Sequence, residues 1–287
     1  MKKIWLLALA LVIALALAAC GNANADGEGK PVEVKIGVNG ADGAQWPILK
    51  EKAAKEGIEI KLVEFADYTL PNNALAQGEI DLNAFQTIAF LAQYGNESGN
   101  DLVPIGSTQF APMGLYSDKI QDIAELKKGD KIAIPDDAVS QARALRLLES
   151  AGLLTLSDDF GLFDDPSKIT ENKLGLDIIP MTPQQTPRAL PDVAASVINN
   201  GIAGQAGLSP SEDPIFREDE FDASVRPYVN CIAVRGKDKD NETFKRIAEL
   251  YQTEEIAQAI KEDTSNGSVL VKLTKEELDG TFNDLKE

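Results

Sequence analysis

The sequence predicts an α/β protein with two lobes, each of them a mixed sheet flanked by helices. Two observations support this prediction. Segments with the pattern of strands and segments with the spacing of helices alternate from residue 32 to residue 91, and the same alternation starts again at residue 131. Such alternation is typical of sheets covered by helices. The chain then ends with amphipathic helices, which indicates that the second series is inserted within the first lobe.

Each element of the first series follows from its local pattern. Residues 32–38 alternate and are rich in β-branched side chains, and residues 45–56 have helical spacing up to Gly57. Alternation predicts a strand, and a spacing of three and four predicts a helix. The remaining predictions are a strand at 58–65, a helix at 71–77, a strand at 80–85, a helix that runs through Leu91, and strands at 102–105 and 114–116.

In the second series, residues 131–134 form a predicted strand that Pro135 stops, and residues 139–151 form a predicted helix that Gly152 closes. Further strands are predicted at 176–179, 193–198 and 228–234, and helices at 242–251, 254–262 and 275–284. We therefore predict a first lobe of residues 32–115 and 230–287 and a second lobe of residues 116–229. Two chain crossings between lobes make a hinge, and the cleft between the lobes is the expected site.

The chain begins with charged residues and an apolar stretch, residues 4–19, that is too short to span a bilayer comfortably as a helix. This stretch ends in Ala18-Ala19-Cys20, and small residues before a cysteine are what bacterial lipoprotein processing requires. We predict a signal peptide at 1–19 and a lipid on Cys20 that tethers the protein to the extracytoplasmic face of the cell membrane. The alternative is an ordinary signal peptide with a chance cysteine. Residues 20–31 are predicted to be a flexible tether.

Composition argues against several classes of function. The net charge is −18, whereas nucleic acids and anionic lipid surfaces attract basic patches. The sequence contains no histidine, which removes Ser-His-Asp and Cys-His catalysis and the usual zinc ligand sets. We therefore expect no nucleic-acid partner, no catalytic residue, no metal and no cofactor. An enzyme that uses carboxylates or lysine in the cleft and a structural surface lipoprotein stay open as alternatives.

Candidate ligand contacts follow from the predicted strands. In open α/β sheets, ligands bind beyond the carboxyl ends of the strands, where helix N-termini and loops meet. This rule selects Asn39, Asp42, Gln45, Trp46, Asp67, Tyr68, Phe85, Gln86, Thr87, Asp136, Asp137, Ser140, Arg143, Asn199, Asn200 and Asn230.

Charged residues in this set need partners. Arg143 falls in the first turn of a helix, where the helix dipole disfavours a cation, so it needs an anion close by. A ligand carboxylate fits the planar guanidinium, and the alternative is a local pair with Asp136 or Asp137. The acidic run at 218–222 is predicted to be a solvated loop rather than a cation site, because the glycine and the regular oxygen-ligand spacing of a calcium loop are missing.

The uncharged candidates also have two interpretations. Tyr68 and Phe85 form either an apolar wall for a ligand side chain or part of the core. Asn199 and Asn230 would lie in otherwise apolar strands, and their amides need partners from a ligand or from nearby backbone, because an unpaired buried amide is costly. Cys231 has no partner for a structural disulfide in the processed chain and is predicted to be a small buried apolar residue.

Several segments, in the same order along the chain, resemble one family. They are residues 67–72, 76–86 (AQGEIDLNAFQ), 110–117 (FAPMGLYS), 133–136 (AIPD), 143–145 (RAL), 195–199 (ASVIN) and 227–230 (PYVN). Together they resemble the NlpA/MetQ methionine-binding lipoproteins over nearly all of the chain that follows the signal peptide. The resemblance implies a type II-like periplasmic-binding-protein fold, in which two lobes close on a free amino acid and deliver it to an ABC importer.

The resemblance also implies residue roles and partners. Tyr68 and Phe85 would enclose the ligand side chain, Arg143 would bind its carboxylate, and Asn199 and Asn230 would hold its polar backbone groups. The first choice of ligand is L-methionine, and the alternatives are another amino acid or a methionine-containing dipeptide. The other implied partners are the transmembrane subunits of an ABC permease and the membrane, through the lipid anchor. We expect the protein to be a monomer.

The sequence departs from the family pattern at the expected cleft. Thr87 stands where methionine-binding members usually have the histidine of Phe-Gln-His, and Ser140 stands where they have the asparagine of Thr-Asn-Gly-Gly-Arg. Residues 39–46 replace a glycine-proline-histidine loop. These departures bear on the identity of the ligand and leave the predicted fold unchanged. Thr87 and Ser140 are therefore included among the predicted ligand-binding residues.

Overall fold

A computed structural model describes residues 30–218 and 221–286. The strands of these residues are β1 (Val32–Val38), β2 (Ile58–Glu64), β3 (Leu82–Thr87), β4 (Leu102–Ser107), β5 (Gln109–Phe110), β6 (Gly114–Tyr116), β7 (Lys131–Pro135), β8 (Thr155–Leu156), β9 (Ile169–Glu171), β10 (Asp177–Met181), β11 (Ala195–Ile198), β12 (Phe216–Arg217), β13 (Asn230–Arg235) and β14 (Val269–Leu270). Their helices are α1 (Gln45–Ala54), α2 (Leu70–Gln77), α3 (Ile88–Ser98), α4 (Ala138–Ser150), α5 (Asn200–Gln205), α6 (Glu242–Tyr251), α7 (Glu254–Asp263) and α8 (Lys275–Asn283). The predicted signal peptide, the predicted lipidation site Cys20 and the predicted tether, except for residues 30 and 31, lie outside the described residues.

The first sheet has the strand order β2-β1-β3-β13-β4. β1 runs parallel to β2 and β3, whereas β13 runs antiparallel to β3 and β4. Val34 and Ile36 of β1 are buried, as the alternating pattern predicts. One face of α1, formed by Trp46, Leu49 and Ala53, packs into the same hydrophobic cluster. Burial of each large apolar side chain in this cluster contributes roughly 1.5–3 kcal/mol.

The second sheet has the strand order β10-β7-β11-β6-β12. β7 runs parallel to β10 and β11, and β6 runs antiparallel to β11 and β12. Ile132, Ala133 and Ile134 of β7 are all fully buried, which is typical of a central strand covered on both faces. Leu145 and Leu148 of α4 pack into the core of this sheet. Each lobe is therefore a mixed sheet flanked by helices, as the sequence predicts.

The chain crosses between the two sheets twice. The first crossing, residues 111–113, joins β5 to β6, and the second crossing is the 3-10 segment Ala223–Tyr228, which leads into β13. Residues 114 and 115 were predicted to belong to the first lobe. However, β6 pairs with β11 from Gly114 to Tyr116, so both residues belong to the second sheet. We now propose a lobe boundary within the first crossing.

Two further features of the described residues concern the membrane and the thiol. No helix in residues 30–218 or 221–286 is both long and apolar enough to cross a membrane. Cys231 in β13 is fully buried, and this burial raises the pKa of its thiol well above the usual value. The prediction of a small apolar residue at this position is confirmed.

Candidate ligand-binding site

A cavity of about 140 Å³ is lined by residues of both lobes. The seven predicted ligand-binding residues all line it: Tyr68, Phe85, Thr87, Ser140, Arg143, Asn199 and Asn230. Five more of the strand-end candidates line it as well: Asn39, Gln45, Trp46, Gln86 and Asn200. Four candidates are not part of its lining: Asp42, Asp67, Asp136 and Asp137. Residues near the strand ends of the two sheets thus line one common cavity, and none of the candidate carboxylates is part of its lining.

Three aromatic rings from the first lobe line this cavity. They belong to Tyr68 after β2, Phe85 in β3 and Phe90 in the first turn of α3, and we call them the aromatic wall. The ring centroids are 6.0 to 6.2 Å apart, within the range of favourable aromatic pairs. All three side chains are only half-buried, so they are not simply core residues. Burial still raises the pKa of the Tyr68 phenol, which is therefore uncharged at neutral pH.

Phe90 was not among the predicted ligand contacts. The hydroxyl of Thr87 accepts a hydrogen bond from the backbone N–H of Phe90 at 3.1 Å, so Thr87 caps α3. This cap brings the first turn of the helix next to the end of β3, where Phe85 lies. The available signal was Thr87 directly before the apolar run that starts at Ile88, because threonine is a preferred residue at helix N-caps.

The second lobe contributes Ser140, Arg143 and Asn199, which we call the polar wall. Ser140 lies in the first turn of α4, and Asn199 lies between β11 and α5. The Asn199 side-chain N–H donates to the Ser140 hydroxyl at 3.1 Å. The Oδ1 atom of Asn199 is buried and accepts no hydrogen bond from the described residues. Because an unpaired buried acceptor costs about 1–3 kcal/mol, this oxygen favours a ligand that brings a donor.

Asn39, which follows β1 in the first lobe, also has a side-chain oxygen without a donor in the described part of the chain. Its side-chain N–H groups donate to the carbonyls of Phe65 at 2.6 Å and Asp67 at 2.9 Å, which fixes the amide plane. Its Oδ1 atom is buried and has no donor among the described residues. The cavity is therefore lined by two asparagines with an open acceptor each, one from each lobe. An ammonium group carries three N–H donors of the kind that such acceptors need.

Asp137 has a structural role at the start of α4. Its Oδ1 atom accepts a hydrogen bond from the backbone N–H of Ser140 at 2.9 Å, which caps the helix. Its Oδ2 atom is buried and unpaired within the described chain. Burial raises the pKa of the Asp137 carboxyl, and this effect outweighs the hydrogen bonds from Ser140 that lower it. Asp137 is thus engaged by a helix terminus and not by Arg143.

Arg143 is almost completely buried, with 6% of its surface exposed. Its Nε and Nη2 atoms donate to the two carboxylate oxygens of Glu218 at 2.8 and 2.6 Å, and Nη2 also donates to the carbonyl of Ala111 at 3.0 Å. Its guanidinium carbon lies 4.6 Å from the ring centroid of Tyr228 and 5.4 Å from that of Phe110. Burial alone would lower the pKa of Arg143, but the charge and hydrogen bonds of Glu218 raise it.

Glu218 was missed, and the partner predicted for Arg143 within the protein was wrong. The predicted partners were Asp136 or Asp137, and residues 218–222 were predicted to be a solvated loop. The Glu218 side chain is instead only 15% exposed and pairs with an arginine 75 residues earlier. The backbone N–H of Met113 also donates to Glu218 Oε2 at 2.7 Å. No local pattern marks Glu218, since its partners come from α4 and from the first crossing.

Comparison with known proteins identifies the family. Residues 34–272 match the profile of the NlpA lipoprotein family. The chain belongs to this family. It is 40% identical, over 83% of its length and 88% of the relative, to the D-methionine-binding lipoprotein MetQ of Salmonella typhimurium. It is 42% identical to Outer membrane lipoprotein 3 of Mannheimia haemolytica, over 80% of this chain and 87% of the relative.

Solved structures of similar chains have the same fold. Protein PG110 from Staphylococcus aureus superposes with a TM-score of 0.85 at 46% identity, over 88% of this chain and 99% of that chain. A nutrient binding protein from Burkholderia cenocepacia, solved with methionine bound, superposes with a TM-score of 0.78 at 35% identity, over 83% of this chain and 99% of that chain. The predicted two-lobed binding-protein fold is confirmed for this NlpA family member.

The two departures from the NlpA family pattern have defined structural environments. Thr87 caps α3 through its hydroxyl, and its Cα pairs with that of Asn230 across β3 and β13. Ser140 accepts the hydrogen bond from Asn199. Both residues therefore organise their neighbours at the cavity. Both hydroxyl side chains are shorter than the histidine and the asparagine of the family pattern.

The lining residue Gln86 belongs to a network of three buried amides, together with Asn72 and Asn83, which are not part of the lining. The Asn72 amide donates to Gln86 Oε1 at 2.6 Å, and Asn72 Oδ1 accepts from Asn83 at 2.8 Å and from Gln86 at 2.7 Å. These side chains are at most 3% exposed. Since a satisfied buried network holds a single geometry, Gln86 fixes the stretch of β3 that carries Phe85.

Proposed function

We propose that this protein is the substrate-binding lipoprotein of an ABC importer and that it binds L-methionine in the cavity lined by its two lobes. The observation that carries the proposal is the presence of the aromatic wall and of Arg143 in one cavity. A thioether side chain is polarisable and packs well on aromatic rings, and a guanidinium matches a carboxylate. A relative named for D-methionine binding and a related structure solved with methionine support methionine as the ligand, and the L configuration is part of the proposal.

In the proposed complex, each wall recognises one part of the ligand. Tyr68, Phe85 and Phe90 contact the thioether side chain, and Arg143 binds the carboxylate through the part of its guanidinium that Glu218 leaves free. The open acceptors of Asn39 and Asn199 receive the ammonium group. Asn230 also lines the cavity and adds a polar contact from β13. Thr87 and Ser140 shape the cavity and hold their neighbours in place. None of these roles requires a catalytic residue or a cofactor.

Anchoring and delivery complete the proposal. A lipid on Cys20 would hold the monomeric protein at the extracytoplasmic face of the membrane, and the transmembrane subunits of a permease would recognise the form in which both walls contact the ligand. A Cys20→Ser substitution should move the protein from the membrane fraction to the soluble fraction without changing its affinity for methionine. Retention of the Cys20→Ser protein in the membrane fraction would remove the anchor from the proposal.

A ligand screen tests the proposed function. Protein that has been unfolded and refolded, so that no carried ligand remains, is heated with L-methionine, D-methionine, other amino acids and dipeptides. A ligand present at a hundred times its Kd adds about 2.7 kcal/mol to the stability of the folded state, so a specific ligand raises Tm clearly. We expect the largest rise with L-methionine, followed by direct calorimetry. A flat response to every compound would favour a purely structural lipoprotein, and turnover of a compound would favour an enzyme.

A methionine-containing dipeptide is the second candidate, because the cavity does not end at the residues of the two walls. A neighbouring cleft of about 480 Å³ shares seven of the lining residues: Asn39, Gly40, Gln45, Gln109, Asn200, Gly201 and Gln205. This polar cleft provides space for an additional residue of the ligand. Calorimetry with L-methionine, alanyl-methionine and methionyl-alanine decides between the candidates. Tighter binding of either dipeptide than of methionine would identify a peptide receptor.

A further inference from the structure

The Arg143–Glu218 pair uses only part of the guanidinium. Glu218 accepts from Nε and Nη2, and the second proton of Nη2 goes to the carbonyl of Ala111. Within the described residues, Nη1 donates to no acceptor, and Arg143 lines the cavity. One nitrogen of the guanidinium is thus left for a ligand carboxylate, in an orientation that the other two nitrogens fix.

Glu218 is itself held in place by the backbone of the first crossing. Its Oε2 atom accepts from the N–H of Met113 at 2.7 Å, and its own N–H donates to the carbonyl of Met113 at 3.0 Å. These backbone contacts define the position of the carboxylate without any contribution from a ligand. A fixed carboxylate with two charge-assisted hydrogen bonds in turn fixes the plane of the guanidinium.

The Arg143–Glu218 pair also determines the local net charge next to the ligand. The side chains of Arg143 and Glu218 are 7% and 15% exposed, so their charges are weakly screened by water and cancel each other locally. A ligand carboxylate that binds at Nη1 therefore adds a net negative charge next to a neutral pair. This charge must be balanced within the ligand. The open acceptors of Asn39 and Asn199 accommodate a cationic group but not an anionic one.

We propose that Glu218 is a positioning residue that determines the charge class of the ligand. It orients Arg143 for a single carboxylate and cancels enough of its charge that the site selects zwitterions, such as free amino acids, over net-anionic N-acylated amino acids. This inference rests on the proposed function, since it concerns the same cavity. It assigns a role to a residue that does not need to touch the ligand.

The test compares two ligands in two proteins. The affinities of L-methionine and N-acetyl-L-methionine are measured by calorimetry for the unaltered protein and for Glu218→Gln, which keeps the shape of the side chain and removes its charge. The steric cost of the acetyl group is the same in both proteins and cancels in the ratio of ratios. We expect the preference for methionine to fall at least fivefold in Glu218→Gln. L-Methioninamide, a net cation, should lose affinity relative to methionine when Glu218→Gln is compared with the unaltered protein.

Matched control variants separate the effect of the lost charge from a general loss of structure. Glu212→Gln removes an exposed carboxylate from a loop of the same lobe and should leave the preference unchanged. Glu218→Asp keeps the charge and should keep the preference within a factor of about two, whatever happens to the absolute affinity. If Glu218→Gln does not fold, Glu218→Ala is measured with and without formate, which should restore the preference for methionine by replacing the missing carboxylate.

The outcomes are distinct. A preference that changes less than fivefold in Glu218→Gln overturns the inference, even if both affinities fall, because equal losses indicate a merely structural role. Failure of the unaltered protein to bind methionine or any dipeptide overturns the proposed function and with it this inference. Binding of methionine by the unaltered protein with an unchanged preference in the variant overturns the inference alone.

Discussion

The two walls of the cavity differ in chemistry and in origin. The aromatic wall comes from the first lobe and consists of three rings without charge, whereas the polar wall comes from the second lobe and contains a buried arginine with its carboxylate partner. Neither wall alone matches an amino acid. One suits an apolar side chain and the other suits a carboxylate, so the complete set of contacts exists only where both lobes contribute.

This division gives the proposed ligand a physical means of acting on the lobes. A ligand shifts a conformational equilibrium only through its difference in affinity for the two states. Because its contacts are divided between the lobes, a molecule held by both walls stabilises the closed arrangement, and one that contacts a single wall does not. The contribution of each wall can therefore be tested separately.

Removal of the charge on the polar wall should have the largest effect. We expect Arg143→Ala to weaken methionine binding by about 2–4 kcal/mol, because the ligand carboxylate loses its charged partner. Tm of the free protein should also fall, since Glu218 is left buried without its partner. Calorimetry and thermal unfolding measure the two effects. Arg217→Ala, which removes an exposed arginine, is the control and should bind normally. Unchanged affinity in Arg143→Ala would falsify the carboxylate role.

Truncation of the aromatic wall should have the next largest effect and a different signature. We expect Phe85→Ala to weaken methionine binding by about 1.5–3 kcal/mol, the contribution of a large buried apolar contact. Binding of alanine, whose side chain barely reaches the rings, should change much less. Phe163→Ala removes another half-buried ring that does not line the cavity, and it should leave both affinities unaltered. Equal losses for methionine and alanine in Phe85→Ala would contradict side-chain recognition by this wall.

The open acceptor on the polar wall should contribute less. We expect Asn199→Ala to weaken methionine binding by about 1 kcal/mol, the typical net value of a hydrogen bond. Asn172→Ala is the control, because the Asn172 amide makes two hydrogen bonds to Leu176 away from the cavity. It should lower Tm and leave the affinity unchanged. If Asn199→Ala binds methionine as tightly as the unaltered protein, the ammonium is held elsewhere.

The smallest expected effect concerns stability and its dependence on pH. Burial raises the pKa of Asp137 above its usual value of 3.8, so the folded protein binds this proton more tightly than the unfolded chain does. Stability is therefore lost as pH rises through the raised pKa. Asp137→Asn keeps the cap and removes the charge, so it should add about 0.5 kcal/mol at neutral pH and nothing at a pH below 3.8.

Asp165 provides the matched control for this last prediction. It also caps a short helix, but it is exposed, and its hydrogen bonds with Ser167 lower the pKa of its carboxyl. Asp165→Asn should therefore not stabilise the protein at neutral pH. Thermal unfolding at neutral and acidic pH measures both variants. A loss of stability in Asp137→Asn at neutral pH would show that the buried carboxylate has a compensating partner.

Local patterns predicted the elements that form the frame of the site. The strand at 32–38 has the predicted bounds, and the helix predicted at 242–251 is α6, because alternation and helical spacing directly reflect which faces are buried. The seven predicted ligand-binding residues line one cavity. The rule about strand ends accounts for six of them, whereas Asn230 is the first residue of β13. Their roles toward the ligand stay predictions.

Two of the differences from the sequence predictions concern contacts between distant segments. The alternative to a ligand carboxylate for Arg143 was a local pair, yet its partner Glu218 lies on the segment that follows β12, 75 residues away. Residues 114 and 115 were placed in the first lobe because the pairing of β6 with β11 cannot be read locally. Phe90 is a different case, since the cap at Thr87 that positions it is a local contact.

The surroundings of Arg143 have a mechanical consequence. The guanidinium donates a hydrogen bond to the Ala111 carbonyl in the first crossing, at 3.0 Å. Its carbon atom lies 4.6 Å from the centroid of the Tyr228 ring in the second crossing. A single side chain therefore contacts both crossings. Rotation of one lobe relative to the other must strain or exchange these contacts. A ligand group that contacts this guanidinium therefore also changes how easily the two lobes rotate.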